Sequence, residues 1–152
     1  MNFKNMDIFG IVGISQVGQI IIPKEARDAF NLQYGEHIIV GTHRKHKKQE
    51  LIIIKEEQFY KCCINNDKFN GFRKFEQNLK RFGVVKAGKK GQVVIPKKAR
   101  DEFNITSKTK FFMIGFRAPN KMYHIILLRP KLVKEFAMKL MEKLLDYNDD
   151  EK

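Results

Sequence analysis

The chain has 152 residues, with 30 Lys and Arg against 17 Asp and Glu and a formal net charge of +13. That length bounds it to one compact domain or two very small ones, and an apolar content of 43% excludes a chain too polar to bury a core. The longest purely aliphatic runs, residues 20–22 and 51–54, fall far short of the roughly 18 residues a membrane-spanning helix needs.

Residues 1–9 carry no sustained apolar stretch and no small-residue cleavage site, so no secretory leader is expected and a cytoplasmic protein is. The two cysteines, Cys62 and Cys63, are neighbours. A bridge between them would be strained, and no disulfide framework is expected. A charge of +13 on so short a chain implies an anionic partner, and nucleic acid is the commonest one for such a field.

In chain order, a short strand runs to Gly18, where glycine suits a turn, and a β-branched strand follows at 19–22. Pro23 has no N–H, which ends a central ladder but suits a helix start, so 24–30 is predicted helical with Ala26 and Phe30 on one face. Asn31 is a plausible stop. Strands at 37–42 and 51–55 flank a hairpin tip whose run His43-Arg44-Lys45-His46-Lys47-Lys48 is either a solvated turn or a phosphate-contacting arm. Residues 57–82 read as a linker, polar in the middle; Phe69, Phe72, Phe75, Leu79 and Phe82 recur at three- and four-residue steps and predict an amphipathic helix.

The first pattern then returns. Residues 12–32 align without a gap on 85–105, an offset of 73, and eleven of the 21 positions are identical, among them Gly18/Gly91, Gln19/Gln92, Pro23/Pro96, Lys24/Lys97, Arg27/Arg100 and Asn31/Asn104. The second copy predicts a helix at 97–103 and strands at 110–117 and 123–129. Beyond it, Leu132, Val133, Phe136, Ala137, Leu140, Met141, Leu144 and Leu145 form a helical stripe. That stripe is expected to dock on the body of the fold, with self-association as the alternative, and residues 149–152 are expected to fray. The resulting division is repeat 1 at 8–56, a partly helical linker at 57–82, repeat 2 at 83–130, and a C-terminal helix and tail at 131–152.

Gly18-Gln19-Ile20-Ile21-Ile22-Pro23-Lys24-Glu25-Ala26-Arg27 and its second copy, Gly91-Gln92-Val93-Val94-Ile95-Pro96-Lys97-Lys98-Ala99-Arg100, resemble the AbrB/MazE/SpoVT superfamily of swapped-hairpin DNA-binding domains. The resemblance covers roughly 11–55 and 84–129. It implies a mainly β fold with short helices, an AbrB-like barrel in which two β-hairpin–helix–β-hairpin units exchange hairpins. Here both units lie in one chain, so the implied form is an intramolecular pseudo-dimer plus a linker helix and a C-terminal amphipathic helix. A unit of about 45 residues buries too little apolar surface alone, and two can supply each other. Ile20, Ile22, Ile38, Val40, Ile52 and Ile54 are then expected to pack against Val93, Ile95, Phe111, Met113, Ile125 and Leu127.

The same resemblance implies a transcription regulator that contacts duplex DNA through basic side chains. By position, Lys24, Arg27, Lys97 and Arg100 match the motif. Lys86, Lys89, Lys90 and Lys98 add charge in the second copy, Arg44 and Lys45 lie at the basic tip, and Gln19 and Gln92 follow the turn glycines. Cations near a helix start oppose the helix dipole, a cost that an anionic ligand reverses. The alternative is an antitoxin that binds DNA and neutralises a toxin partner through its C-terminal helix; residues 131–143 are basic and amphipathic, which favours the regulator. No enzyme is expected, because Ser15, Ser107 and the four histidines form no nucleophile–base arrangement and no phosphate-cradling glycine loop occurs. No cofactor is expected, and no metal, since His43, His46, Cys62 and Cys63 lack ligand spacing. A nucleoid-associated location follows from the DNA reading.

Overall fold

The structure, a computed structural model, describes residues 5–44, 50–64, 77–118 and 122–150. In chain order it contains β1 (Met6–Gly13), β2 (Gln19–Ile21), α1 (Lys24–Phe30), β3 (His37–His43), β4 (Glu50–Lys55) and α2 (Glu56–Ile64). Then come β5 (Leu79–Lys86), β6 (Gln92–Val94), α3 (Lys97–Glu102), β7 (Lys110–Arg117), β8 (Tyr123–Leu128) and α4 (Pro130–Asp150). The fold is mainly β with short helices: an open six-stranded sheet in the order β1-β7-β8-β4-β3-β5, and a two-stranded ribbon of β2 with β6.

The two repeats exchange strands. β1 pairs antiparallel with β7 of the second repeat, and β5 pairs antiparallel with β3 of the first. The registers agree with the offset of 73: Val12 faces Phe111, as its counterpart Val85 faces Ile38. Even the irregularities repeat, because both ladders slip by one residue, at Phe9 and at Phe82. Each bulge turns an aromatic toward the core; the Phe82 ring meets Phe103 edge-on at 5.7 Å. Asn31 and Asn104 stop the two short helices with φ of 50° and 52°, which asparagine tolerates.

The core lies between the sheet and the ribbon. Ile20, Ile22, Ile38, Val40, Val93, Ile95, Phe111, Met113, Ile125 and Leu127 belong to it as expected, but Ile52 and Ile54 do not; Leu51 and Ile53 take their places. The gapless offset breaks inside the hairpins. Gly41 faces Ile52, whereas its counterpart Ile114 faces Ile126, so β8 follows β4 by 74 residues. A shift of one residue in a strand exchanges its two faces. Ile52 and Ile54 instead join Ile39, Phe59, Leu79 and Met122 on the other side of the sheet, where α2 supplies Phe59 and the Arg81 guanidinium stacks 4.4 Å over that ring.

Two further expectations change. Leu79 and Phe82 lie in strand β5 and not on a linker helix, because β3 offers them an open edge; Phe69, Phe72 and Phe75 lie outside the described residues. α4 meets β7, but five positions of the expected stripe, Ala137, Leu140, Met141, Leu144 and Leu145, are not covered. Leu132 and Val133 are half-buried, while residues 137–146 are all exposed. The helix also continues through Asp150, past the expected start of fraying.

At the ends of β4 and β8, equivalent cations close the two short helices. The Lys55 ammonium donates to the Asn31 carbonyl at 2.8 Å and lies 3.5 Å from a Glu36 carboxylate oxygen. Its counterpart Arg129 donates to the Phe103 carbonyl and stacks 5.5 Å over Phe111. Each places positive charge at a helix C-terminus, where free carbonyls and the dipole favour it.

Candidate nucleic-acid interface

The ribbon is built from the two copies of the motif. Gln19 faces Val94, Ile20 faces Val93 and Ile21 faces Gln92. Ile20 and Val93 are fully buried, so strand alternation turns Gln19, Ile21, Gln92 and Val94 outward. Ile21 is 54% and Val94 41% exposed, large for β-branched side chains in the middle of a short ribbon.

The ladder continues past the strands and ties each turn to the opposite repeat. Ile22 N–H donates to the Gly91 carbonyl at 2.9 Å, and Ile95 N–H to the Gly18 carbonyl at 2.8 Å. Gly18 and Gly91 have φ of 83° and 80°, which glycine adopts freely. The helix arginines cross over these same glycines. A Cβ on Gly91 would lie 2.7 Å from Arg27 Cδ and 2.7 Å from the Ile22 carbonyl oxygen, and one on Gly18 would lie 2.5 Å from Arg100 Nε. Arg100 Nε donates to the Ile95 carbonyl at 3.0 Å.

The ribbon therefore has two chemically different ends. One end carries the second turn, with exposed Lys89 and Lys90 at its tip, beside the start of α1 at exposed Lys24. The other carries the first turn, with uncharged Gln16 and Val17, beside the start of α3 at exposed Lys97 and Lys98. Lys86 is exposed at the end of β5 and pairs with His37. Lys89 reaches 5.7 Å over the exposed Tyr34 ring. Arg44 stands at the other end of β3, about 20 Å from Lys86 at the rise of an extended strand, so Arg44 is separate from the ribbon cations; Lys45 lies outside the described residues.

The helix dipole opposes the charges of Lys24, Lys97 and Lys98 but not those of the arginines. α1 and α3 are so short that Arg27 and Arg100 fall in their last turns, where a cation is favoured. Both are half-buried, and their geometry gives them a packing role across the glycine turns. Gln92 also has local work, since its side-chain oxygen accepts from Lys90 N–H at 2.8 Å.

Sequence reading passed over Ile21, Val94, Tyr34 and Lys110. Their signal was present in the offset: Ile21 corresponds to Val94, and exposed Lys110 corresponds to His37, so each repeat sets one of these two groups beside the residue that precedes its partner's turn. Lys110 Nζ would be 3.0 Å from a Cβ on Gly13. Among the described residues no group of three His, Cys, Asp or Glu side chains is gathered as a metal would require, and no helix is long and apolar enough to cross a membrane.

The chain matches no protein-family model and no curated protein. Among solved structures it is similar to the solution structure of PHS018 from Pyrococcus horikoshii, at 18% identity and a TM-score of 0.38, over 81% of this chain and 92% of that one.

Proposed function

We propose that the protein is a non-enzymatic regulator that binds duplex DNA, with the strand exchange and ribbon forming the swapped-hairpin barrel that the AbrB/MazE/SpoVT resemblance implies. The observation that carries the reading is the outward ribbon face, Gln19, Ile21, Gln92 and Val94, with exposed lysines at both of its ends. A major groove admits a two-stranded ribbon. In that setting Lys24, Lys89, Lys90, Lys97 and Lys98 engage phosphates on either side, and the two glutamines and two aliphatic side chains meet base edges and thymine methyl groups. Such a protein acts at the nucleoid.

The test is duplex binding followed by fluorescence anisotropy across salt. Neutralising about five to seven phosphates gives a log–log slope of about −4 to −6. Lys89→Ala with Lys90→Ala together make the slope shallower by about two units and weaken all sequences alike, whereas Gln19→Ala relaxes preference among sequences. Absence of binding at low salt removes DNA as the partner.

A further inference from the structure

The two turns of the ribbon are tied by different devices, and the difference falls on its two glutamines. In the first turn the Ser15 hydroxyl accepts from Gln19 N–H at 3.1 Å, beside a backbone bond in which Ser15 N–H donates to the Gln19 carbonyl at 2.9 Å. The Gln19 side chain itself makes no hydrogen bond among the described residues. In the second turn the place of Ser15 is taken by Gly88, which has no hydroxyl. The backbone bond is kept, with Gly88 N–H donating to the Gln92 carbonyl at 2.9 Å, but the side-chain tie comes from the strand: Gln92 Oε1 accepts from Lys90 N–H at 2.8 Å. The amide is folded over the glycine, since a Cβ on Gly88 would stand 2.4 Å from Gln92 Oε1 and 3.1 Å from Gln92 Cδ. A serine at 88 and this position of the Gln92 amide exclude one another.

The chemistry available at a major groove differs accordingly. A glutamine recognises adenine with both ends of its amide at once, donating to N7 and accepting from the N6 amino group. Gln19 has both ends to offer. Gln92 has its oxygen on the turn and is left with its NH2, and a lone donor finds acceptors on adenine, guanine and thymine alike. What Gln92 does instead is fix the turn that carries Lys89 and Lys90, whose ammonium groups suit phosphate contacts that carry no sequence information. Their counterparts in the first turn, Gln16 and Val17, are uncharged.

We propose that the ribbon reads duplex DNA asymmetrically. Gln19 selects an adenine in one half of the site, and Gln92 is a positioning residue that sets the Lys89–Lys90 tip against phosphates of the other half. The preferred site is then non-palindromic and bound in one orientation, although the two repeats pair antiparallel across the ribbon. This inference rests on the duplex-DNA reading and deepens it.

Selection of bound sequences from random duplexes is the test, followed by anisotropy on the recovered site with each base pair changed in turn. The full chain is expected to show a position near one end of the ribbon footprint at which replacing A·T weakens binding about five- to a hundredfold, with no equivalent in the other half. Gln19→Ala abolishes that preference and leaves the salt slope unchanged. Gln92→Ala keeps the preference, weakens all sequences by the same factor and makes the slope shallower. Exchanging the devices is the sharper experiment. Gly88→Ser, at a residue whose φ is not positive, displaces the Gln92 amide and adds a second A·T preference in the other half, while Ser15→Gly weakens the first by letting the Gln19 amide fold back. Thermal melts report the folding of each variant. A palindromic site or no base preference for the unaltered chain, equal loss of preference in Gln19→Ala and Gln92→Ala, or no new preference in folded Gly88→Ser overturns the asymmetric reading while DNA binding stands. Absence of binding to every duplex at low salt overturns the DNA reading and this inference with it.

Discussion

His124 shows what burial alone does to one side chain. It lies in β8 opposite Phe116, with the two rings 5.4 Å apart and its surface 6% exposed. Desolvation lowers its pKa from 6.5 to about 4, so the unfolded chain binds a proton more readily than the folded one between those values. Stability is therefore fully present above pH 6.5 and is lost as pH falls toward 4, by about 3 kcal/mol at most. Urea titrations at several pH values are expected to show this slope, and His124→Phe to flatten it. The glycine turns give a second contrast. Gly91→Ala forces a Cβ against the Ile22 backbone oxygen at a positive φ and is expected to cost about 3 kcal/mol, whereas Gly18→Ala meets only the movable end of Arg100 and costs about 1–2 kcal/mol. Chemical denaturation of both variants measures the difference. The repeated motif showed both glycines and both arginines, but not that each arginine serves the other repeat's turn, since the contact joins residues far apart in sequence.

At the scale of the elements, the short helices depend on cations supplied by distant strands. Lys55→Met keeps the length and apolar stem of the side chain but removes its bond to the Asn31 carbonyl and its attraction to Glu36. It is expected to lower stability by about 1–2 kcal/mol, read as a shift in denaturation midpoint without a change in slope. The bulges are similarly decisive. Phe82→Ala empties a space against Phe103 and is expected to cost about 3 kcal/mol, more than Phe9→Ala, whose side chain is only half-buried. Periodicity placed α1, β3, β7 and the C-terminal helix to within a residue or two, because alternation and helical spacing are local. It misassigned Leu79 and Phe82, since a run of spaced aromatics fits a helix or a bulged strand equally well and only the open edge of β3 decides.

For the whole molecule, the strand exchange means that neither repeat holds its own sheet. Residues 1–60 alone lack β7 for β1, β5 for β3 and β6 for β2, and are expected to be unfolded or self-paired by circular dichroism and light scattering. A folded monomeric half would contradict the exchange as the source of stability. The amino-acid sequence by itself determined that the chain is two copies of one motif, mainly β with two short proline-started helices, and strongly basic. These follow from identity, spacing and composition, which need no third dimension. Tertiary structure decided the rest. The extra residue in the second hairpin exchanged Ile52 and Ile54 for Leu51 and Ile53 in the core, because a strand has two faces and a one-residue shift swaps them. Association of the repeats set Arg27 and Arg100 against each other's turns and brought Lys89, Lys90 and Lys24 to one end of the ribbon. Residues 137–146 of α4 stayed exposed. Which residues meet across a chain of this length depends on packing between segments more than seventy residues apart, and no local pattern carries that information.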